Sequence, residues 1–215
     1  MEGNWLREAE RMHGNQQYSP CEITIEGDWS GAAFHLVGAA ISGKVSVLGL
    51  NRSSAQPDKI ILEAIASAGG VFSADKNTIS VEKGALNNFT FDATNCPDLF
   101  PPLAALAANC EGKSVIKGLG RLIHKESNRA QTIKSELKSV GIEVDIKVDE
   151  MHITGGEISG GTIDSHNDHR IAMMGGILAI NAKSPISIIN SKAISKSYPN
   201  FFQTLNKLGI QTEEC

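Results

Sequence analysis

The chain has 215 residues, enough for one large domain or two small ones, and its 41% hydrophobic and 20% charged content is ordinary for a globular protein. The formal net charge of -4 excludes the overall basic field of a typical nucleic-acid-binding protein, so any anion site must come from local clustering. No apolar run is long enough to span a membrane. The four cysteines form no C-x-x-C pair and no signal peptide precedes them, which predicts reduced thiols in a cytoplasm.

The first 27 residues carry weak structural signals. A short helix is predicted over Leu6 to Met12, and the alternation Ile23-Thr24-Ile25 predicts a short strand. A helix rich in small residues is then predicted from Trp29 to Ile41, with Asp28 as its N-cap and Gly43 as its stop.

An internal repeat with a spacing of 70 residues organises the rest of the chain. Asp28, Asp98 and Asp168 each precede a small, apolar helix and then a strand. A second helix follows each time and ends at a glycine, 41, 43 and 41 residues after its aspartate: Gly69, Gly141 and Gly209. A further strand follows each glycine, at Val71, Ile142 and Ile210. Hairpins are predicted around Asp75 and around Asp149.

The repeat predicts an α/β (α+β) fold of three βαβαββ units, at about 28–87, 88–156 and 157–215, with the third cut short. The first helix of each unit has no polar face, as in Leu103 to Ala108 and Ile171 to Ala182, so these helices are predicted to be buried in the middle. The second helices carry Lys and Glu on one side and are predicted to lie outside.

Charged residues cluster at the junctions that lead into the helices. If the units share an axis, these junctions gather at one end of the molecule and bring together five cations and three carboxylates: Arg121, Lys125, Arg129, Arg170, Lys196, Asp98, Glu126 and Asp168. Guanidinium groups fork onto carboxylate or phosphate, and a carboxylate among them can relay a proton. The cluster therefore predicts a site for a multiply anionic small molecule with acid–base chemistry.

Each of these residues also has a purely structural interpretation. The run 121–129 alone is equally a solvated helix start, and the three aspartates can be N-caps only. His169 is interpreted as a core histidine bonded to backbone, with a catalytic role as the alternative. A metal site built on His166 and His169 lacks a third ligand with suitable spacing. Arg170 enters an apolar helix, so it requires a ligand or an ion-pair partner.

Two runs resemble signatures of the 5-enolpyruvylshikimate-3-phosphate synthase family: Asn167-Asp168-His169-Arg170-Ile171-Ala172-Met173, and Arg121-Leu122-Ile123-His124-Lys125-Glu126-Ser127-Asn128-Arg129. Three shorter runs resemble the same family in the same order: 25–30, 96–98 and 193–199. The resemblance covers the chain from about Gly14 onward and separates this family from the UDP-N-acetylglucosamine enolpyruvyl transferases. The family motif has Asp where Asn128 stands, which predicts a weakened or replaced ion pair there.

The resemblance implies a two-domain fold, each domain built from three βαβαββ units. It implies transfer of the enolpyruvyl group of phosphoenolpyruvate to shikimate 3-phosphate in aromatic amino acid biosynthesis, through a tetrahedral intermediate, with no metal or organic cofactor. By resemblance, Asp98 accepts the proton of the shikimate hydroxyl and Glu126 serves the methylene carbon of phosphoenolpyruvate. Substrate contacts are implied for shikimate 3-phosphate at Arg121 and Lys125, and for phosphoenolpyruvate at Arg129, Arg170 and Lys196.

The chain resembles only the C-terminal half of this family. Residues 1–27 are expected to be a remnant of the preceding domain and its crossover, and residues 28–215 the C-terminal domain. We therefore expect a missing N-terminal domain as partner, little activity without it, and a monomer at full length. The alternatives are a non-catalytic anion-binding remnant and an enolpyruvyl transferase for another acceptor, such as UDP-N-acetylglucosamine.

Overall fold

A computed structural model of the chain describes residues 13–75, 78–122, 125 and 127–214. The predicted helix over Leu6 to Met12, and the residues His124 and Glu126, lie outside this range. Six α-helices are found in it: α1 Trp29–Ile41, α2 Ile61–Ser67, α3 Phe100–Ala108, α4 Arg129–Ser139, α5 His169–Leu178 and α6 Phe201–Lys207. The nine described strands are β1 Lys44–Leu48, β2 Val71–Ala74, β3 Thr78–Glu82, β4 Thr90–Asp92, β5 Lys113–Lys117, β6 Glu143–Lys147, β7 Glu150–Thr154, β8 Gly161–Asp164 and β9 Ile186–Ile189.

The strands form three sheets that follow the order of the repeat. The described sheets have the orders β1-β3-β2, β4-β5-β7-β6 and β8-β9. In the first two, the antiparallel pairs β2–β3 and β6–β7 confirm the two predicted hairpins. The pairs β4–β5 and β8–β9 are parallel and are joined by crossovers that contain α3 and α5. The predicted α/β fold of βαβαββ repeats is thus confirmed.

The first helix of each unit is buried in the middle, as predicted. All nine residues of α3 are buried, and α1 and α5 bury every residue except Ser30 and Arg170, respectively. The three helices contact one another in every pairing. Because Ala, Gly or both recur in each of these helices, the helix backbones can approach closely without polar side chains between them. Phe34, Phe100 and Phe201 are large side chains that fill the remaining core.

Three local predictions were wrong. The residues Ile23 to Ile25 form no strand and are exposed, and the described residues after Gly209, 210–214, also form no strand. A strand needs a neighbour for its backbone N–H and C=O groups, and no described strand pairs with either segment. The helix predicted over Ile171 to Ala182 instead begins at His169, ends at Leu178 and continues as a 3-10 turn.

A buried histidine makes the stability of this core dependent on pH. His35 of α1 is 7% exposed, and its Nε2 lies 3.1 Å from the Tyr198 hydroxyl. Burial lowers the pKa of His35 from 6.5 to about 4. As the pH falls from 6.5 toward 4, the unfolded chain takes up a proton that the folded chain does not, so the fold loses stability in this window.

We expect His35 to reduce the free energy of unfolding by about 2 kcal/mol between pH 7.5 and pH 5.0, an effect that His35→Phe should abolish. Urea unfolding of the wild type and the variant at both pH values measures the difference in slope. Equal pH slopes for the two proteins would contradict a depressed pKa at His35.

Candidate functional site

The site lies where the N-terminal ends of α1, α3 and α5 meet. Asp28 caps α1 by accepting hydrogen bonds from the backbone N–H groups of Ser30 and Gly31, and Asp168 caps α5 by accepting from that of Arg170. Both predicted N-caps are therefore confirmed. Asp98 differs, because it lies in a 3-10 turn before α3 and makes no side-chain cap bond. Its carboxylate is left to face the cations of the neighbouring repeats.

Asp98 is held by three cations. Its Oδ1 lies 3.0 Å from Lys125 Nζ and 2.8 Å from Arg129 Nη1, and its Oδ2 lies 3.3 Å from Arg170 Nη2. Burial raises the pKa of this carboxyl, but Arg170, Lys125 and Arg129 outweigh burial and hold the pKa below its ordinary value. Asp98 is thus a carboxylate that stays ionised among groups suited to bind anions.

Arg129 joins two repeats from a fully buried position. Its side chain is 0% exposed, and its Nε and Nη2 donate to the two oxygens of Asp168 at 2.8 and 3.2 Å. Its remaining nitrogen, Nη1, donates to Asp98. Ser127 adds a hydrogen bond of 3.3 Å to Asp168. Such a two-pronged pair fixes the guanidinium plane, because the fork of N–H donors matches both carboxylate oxygens.

Arg170 joins all three repeats. Arg170 is the second residue of α5. Its Nη1 donates to the Ser30 hydroxyl at the start of α1, and its Nη2 pairs with Asp98 just before α3. Its side chain keeps 13% exposure, so one edge remains open to a ligand. The prediction that a cation in this apolar helix needs a partner is confirmed.

The other predicted site residues lie around this centre. Lys196 is exposed and donates to the backbone carbonyl of Asn167, beside Asp168. Arg121 is exposed and reaches the Thr94 carbonyl at 3.5 Å, and it forms no ion pair with the other described residues of the cluster. His169 is buried next to Arg170.

His166 lies away from the centre and pairs with Glu136 at 3.0 Å. Within the part of the chain that the structure describes, no group of three or more His, Cys, Asp or Glu side chains could hold a metal ion.

None of the described helices is both long and apolar enough to cross a bilayer.

Sequence reasoning missed two residues of the site, Ser30 and Asp58. Asp58 is 7% exposed; burial raises the pKa of its carboxyl, and the charge of Arg170 acts in the opposite direction. The repeat carried a usable signal, since Ser30 and Arg170 are 140 residues apart and thus occupy equivalent positions in α1 and α5. Both directly follow the N-terminal residue of their helices, so convergence of the helix starts brings them together.

Each of the three cations around Asp98 already has a carboxylate partner. Lys125, Arg129 and Arg170 contact Asp98, and Arg129 also pairs with Asp168. An incoming anion must therefore compete with a carboxylate for these cations. Asp98 has 31% side-chain exposure and Asp168 has 0%, so Asp98 is the partner that a ligand would replace.

The turn that leads toward Lys125 depends on Gly118. Its φ of +100° is left-handed, and a Cβ there would lie 2.6 Å from the Thr94 Cα. We expect Gly118→Ala to lower the free energy of unfolding by more than about 1 kcal/mol. Gly120→Ala is the matched control, because its nearest neighbour to an added Cβ is 3.7 Å away. Urea unfolding compares the two, and equal losses would contradict this role of Gly118.

Comparisons with known proteins identify the family of the chain. The model of the EPSP synthase (3-phosphoshikimate 1-carboxyvinyltransferase) family matches residues 6–205. The chain is similar to 3-phosphoshikimate 1-carboxyvinyltransferases of Clostridium acetobutylicum, at 39% identity over 204 residues, and of Pyrococcus furiosus, at 42% identity over 187 residues. These matches cover 94% and 87% of this chain, and 47% and 46% of the relatives.

Solved structures give the same picture. The EPSP synthase of Acinetobacter baumannii matches with a TM-score of 0.79 at 28% identity, over 88% of this chain and 47% of that chain. The chain thus spans about half the length of the curated relatives it matches.

Proposed function

Because this chain belongs to the EPSP synthase family, we propose that it supplies the C-terminal part of the active site of a 3-phosphoshikimate 1-carboxyvinyltransferase. The observation that carries the proposal is the arrangement at Asp98, a carboxylate contacted by Lys125, Arg129 and Arg170 where three helices begin. A reaction between two anionic substrates needs both cations to bind them and a carboxylate to move a proton.

In the proposed reaction, Asp98 accepts the proton of the acceptor hydroxyl of shikimate 3-phosphate. The oxygen adds to the central carbon of phosphoenolpyruvate while Glu126 protonates its methylene carbon, which gives a tetrahedral intermediate. Glu126, ionised by that transfer, then takes a proton from the new methyl group as phosphate departs, which restores the carbon–carbon double bond, and the proton held by Asp98 passes to the departing phosphate. No metal or organic cofactor takes part in this scheme.

The cations divide between the two substrates. Arg170 presents its guanidinium group to phosphoenolpyruvate, and Lys196 adds a point charge from the edge of the site. Arg129 is buried, so it contacts this substrate only where the substrate replaces Asp98 at its Nη1. Lys125 contacts shikimate 3-phosphate, and Arg121 reaches the same substrate from the 3-10 turn Leu119–Arg121. Support comes from the short distances of Lys125, Arg129 and Arg170 to one carboxylate, which place three cations around a single small volume.

We propose that residues 28–215 form one domain and that a second domain faces the site in the complete enzyme. The share of the relatives that this chain leaves uncovered, about half, supports this arrangement. We further propose a monomer in the cytoplasm. The free thiols of Cys96 and Cys110 are in keeping with a reducing compartment.

A chimera tests the function. It joins the part of the Clostridium acetobutylicum relative outside the match to this chain, and we expect it to release phosphate from phosphoenolpyruvate only when shikimate 3-phosphate is present. The same chimera with Asp98→Asn is the matched control, and the unmodified relative verifies the assay. We expect the isolated 215-residue chain to show little turnover.

Other outcomes favour the alternatives. A chimera that binds both substrates by calorimetry but releases no phosphate would favour an anion-binding module. Turnover with UDP-N-acetylglucosamine, and none with shikimate 3-phosphate, would favour a different acceptor. Turnover by the isolated chain at the rate of the relative would contradict the need for a facing domain.

A further inference from the structure

Glu136 is a buried carboxylate that the proposed reaction does not use. It lies on α4, is 6% exposed, and accepts a hydrogen bond on each of its oxygens. Oε2 accepts from the backbone N–H of Asp164 at 2.9 Å, and Oε1 lies 3.0 Å from Nε2 of His166. A carboxylate has no proton to give, so the imidazole is the donor. Since burying a carboxylate is costly unless hydrogen bonds compensate, Glu136 and this segment fix each other.

The segment that Glu136 contacts continues into a strained turn. His166 and Asn167 have φ values of +50° and +58°, so both lie in the left-handed region. The N–H of Asp168 donates to the carbonyl of Ser165 at 2.8 Å and closes a turn of type I′. Two consecutive left-handed residues with side chains cost free energy, and the surrounding structure must hold them in place. The turn therefore depends on contacts from outside itself.

This turn carries two groups of the site. Its last residue is Asp168, which pairs with Arg129 and caps α5. The carbonyl of the preceding residue, Asn167, accepts from Nζ of Lys196. A change in the turn would rotate that carbonyl and displace the Asp168 carboxylate together, because the two residues are adjacent.

Helix α4 holds the segment 164–168 at both ends. Arg129 and Glu136 are seven residues apart, so they lie on one face of the helix, about 10 Å from each other along its axis. Arg129 contacts Asp168, and Glu136 contacts Asp164 and His166. One rigid helix thus sets both the start and the end of the turn.

The end of β9 supports the other side of the segment. Nδ2 of Asn190 donates to Oδ1 of Asp164 at 3.0 Å, and the Asn190 carbonyl accepts from the Ser165 hydroxyl at 3.0 Å. These contacts lie before the left-handed pair. The contact of Glu136 reaches the side chain of His166, the first left-handed residue itself.

We propose that Glu136 is a positioning residue that keeps the turn 165–168 in the conformation that holds Lys196 at the edge of the site, where it meets the anionic substrate. Lys196 is exposed, and the Asn167 carbonyl accepts from its ammonium group. Without Glu136, His166 is free to leave the left-handed region, and the rotation of the next peptides takes that acceptor away. The effect on substrate binding rests on the function proposed above, whereas the effect on the turn does not.

Amide hydrogen exchange, measured by NMR on the 215-residue chain itself, tests the turn. Glu136→Leu removes both contacts and should raise the exchange rate of the Asp168 amide about 10-fold more than those of the α3 amides. His166→Asn is a milder variant that should act in the same direction, because Asn tolerates the left-handed region but is shorter than His. Glu150→Leu is the matched control, since Glu150 makes a similar pair with His152, at 2.9 Å, in another sheet.

Two outcomes of the exchange experiment would overturn the proposal. One is an Asp168 amide whose exchange rate stays unchanged in both Glu136→Leu and His166→Asn. The other is an equal rise in rate at Asp168 and throughout α3, which would show that Glu136 stabilises the whole fold and not the turn.

The chimera described above tests the consequence for substrate binding. Glu136→Leu should raise the KM for phosphoenolpyruvate about 10-fold, the size expected for a hydrogen bond to a charged group, and change kcat far less. Glu136→Gln should keep this KM within about threefold of the wild type, because its amide can accept from the Asp164 N–H and donate to the imidazole of His166. In a Lys196→Met background, Glu136→Leu should raise the KM no further, since it acts through Lys196.

Multiplied losses in the double variant, or a fall in kcat with an unchanged KM, would contradict a role of Glu136 through Lys196. An inactive wild-type chimera would count against the proposed function alone, because the exchange result stands without turnover.

Discussion

Replacing Arg129 with methionine is expected to lower the free energy of unfolding by about 3–5 kcal/mol. The side chain of Arg129 is fully buried, and so is that of Asp168, its bidentate partner. Removing the guanidinium leaves a carboxylate in the interior without its cation, and the penalty for that buried charge exceeds the lost attraction itself. Arg129→Lys should also be costly, because an ammonium group cannot donate to both oxygens of Asp168 and to Asp98 in one plane. Urea unfolding at neutral pH measures each loss.

A double variant isolates the cause. Arg129→Met combined with Asp168→Asn should be more stable than Arg129→Met alone, because the amide keeps an oxygen to cap α5 but carries no charge. Arg121→Met is the matched control, since Arg121 is exposed and its 3.5 Å hydrogen bond goes to the backbone carbonyl of Thr94. A loss at Arg129→Met no larger than that at Arg121→Met would contradict the importance of the buried pair.

Much of the fold could be read from the repeat and from side-chain size. The bounds Trp29–Ile41 of α1 match the prediction, because Asp28 supplies a cap and Ala and Gly fill the turns between. The same features predicted buried helices in all three units. Convergence of the helix starts then predicted that Asp98, Lys125, Arg129 and Arg170 meet, which the measured distances confirm.

The rest could not be predicted because it depends on contacts between repeats. Lys125 and Arg121 are both cations in one run of the sequence. Only the fold decides that Lys125 contacts Asp98 whereas Arg121 reaches the backbone carbonyl of Thr94. The burial of Arg129 is likewise invisible in a helix that otherwise carries a polar face. The burial of Asp58 is invisible too, because in the sequence it resembles an ordinary helix-start carboxylate.

Asp98→Asn in the chimera should reduce kcat by about 10²–10⁴-fold, the contribution typical of a general base. The substitution keeps the size of the side chain and one acceptor oxygen but removes the group that takes the proton. The unfolding free energy measured by urea should change less than in Arg129→Met, because Asp98 is partly exposed and is one of two carboxylates on Arg129. The loss of a single weak contact changes kcat by about threefold or less, so a kcat within threefold of the wild type would contradict a role for Asp98 as base.

The pH dependence of turnover should reveal how the substrate activates Asp98. Without ligand, Arg170, Lys125 and Arg129 hold its pKa low, and a carboxylate with a low pKa is a weak base. A bound phosphate or carboxylate draws these cations to itself and adds negative charge, so both effects raise the pKa of Asp98 toward the operating pH. The acid limb of kcat, which reports the substrate complex, should therefore lie at higher pH than that of kcat/KM, which reports the free enzyme. The pH profiles of kcat and of kcat/KM for the chimera measure this difference. Acid limbs at the same pH, or an acid limb of kcat at the lower pH, would show that the bound ligand does not draw the cations away from Asp98.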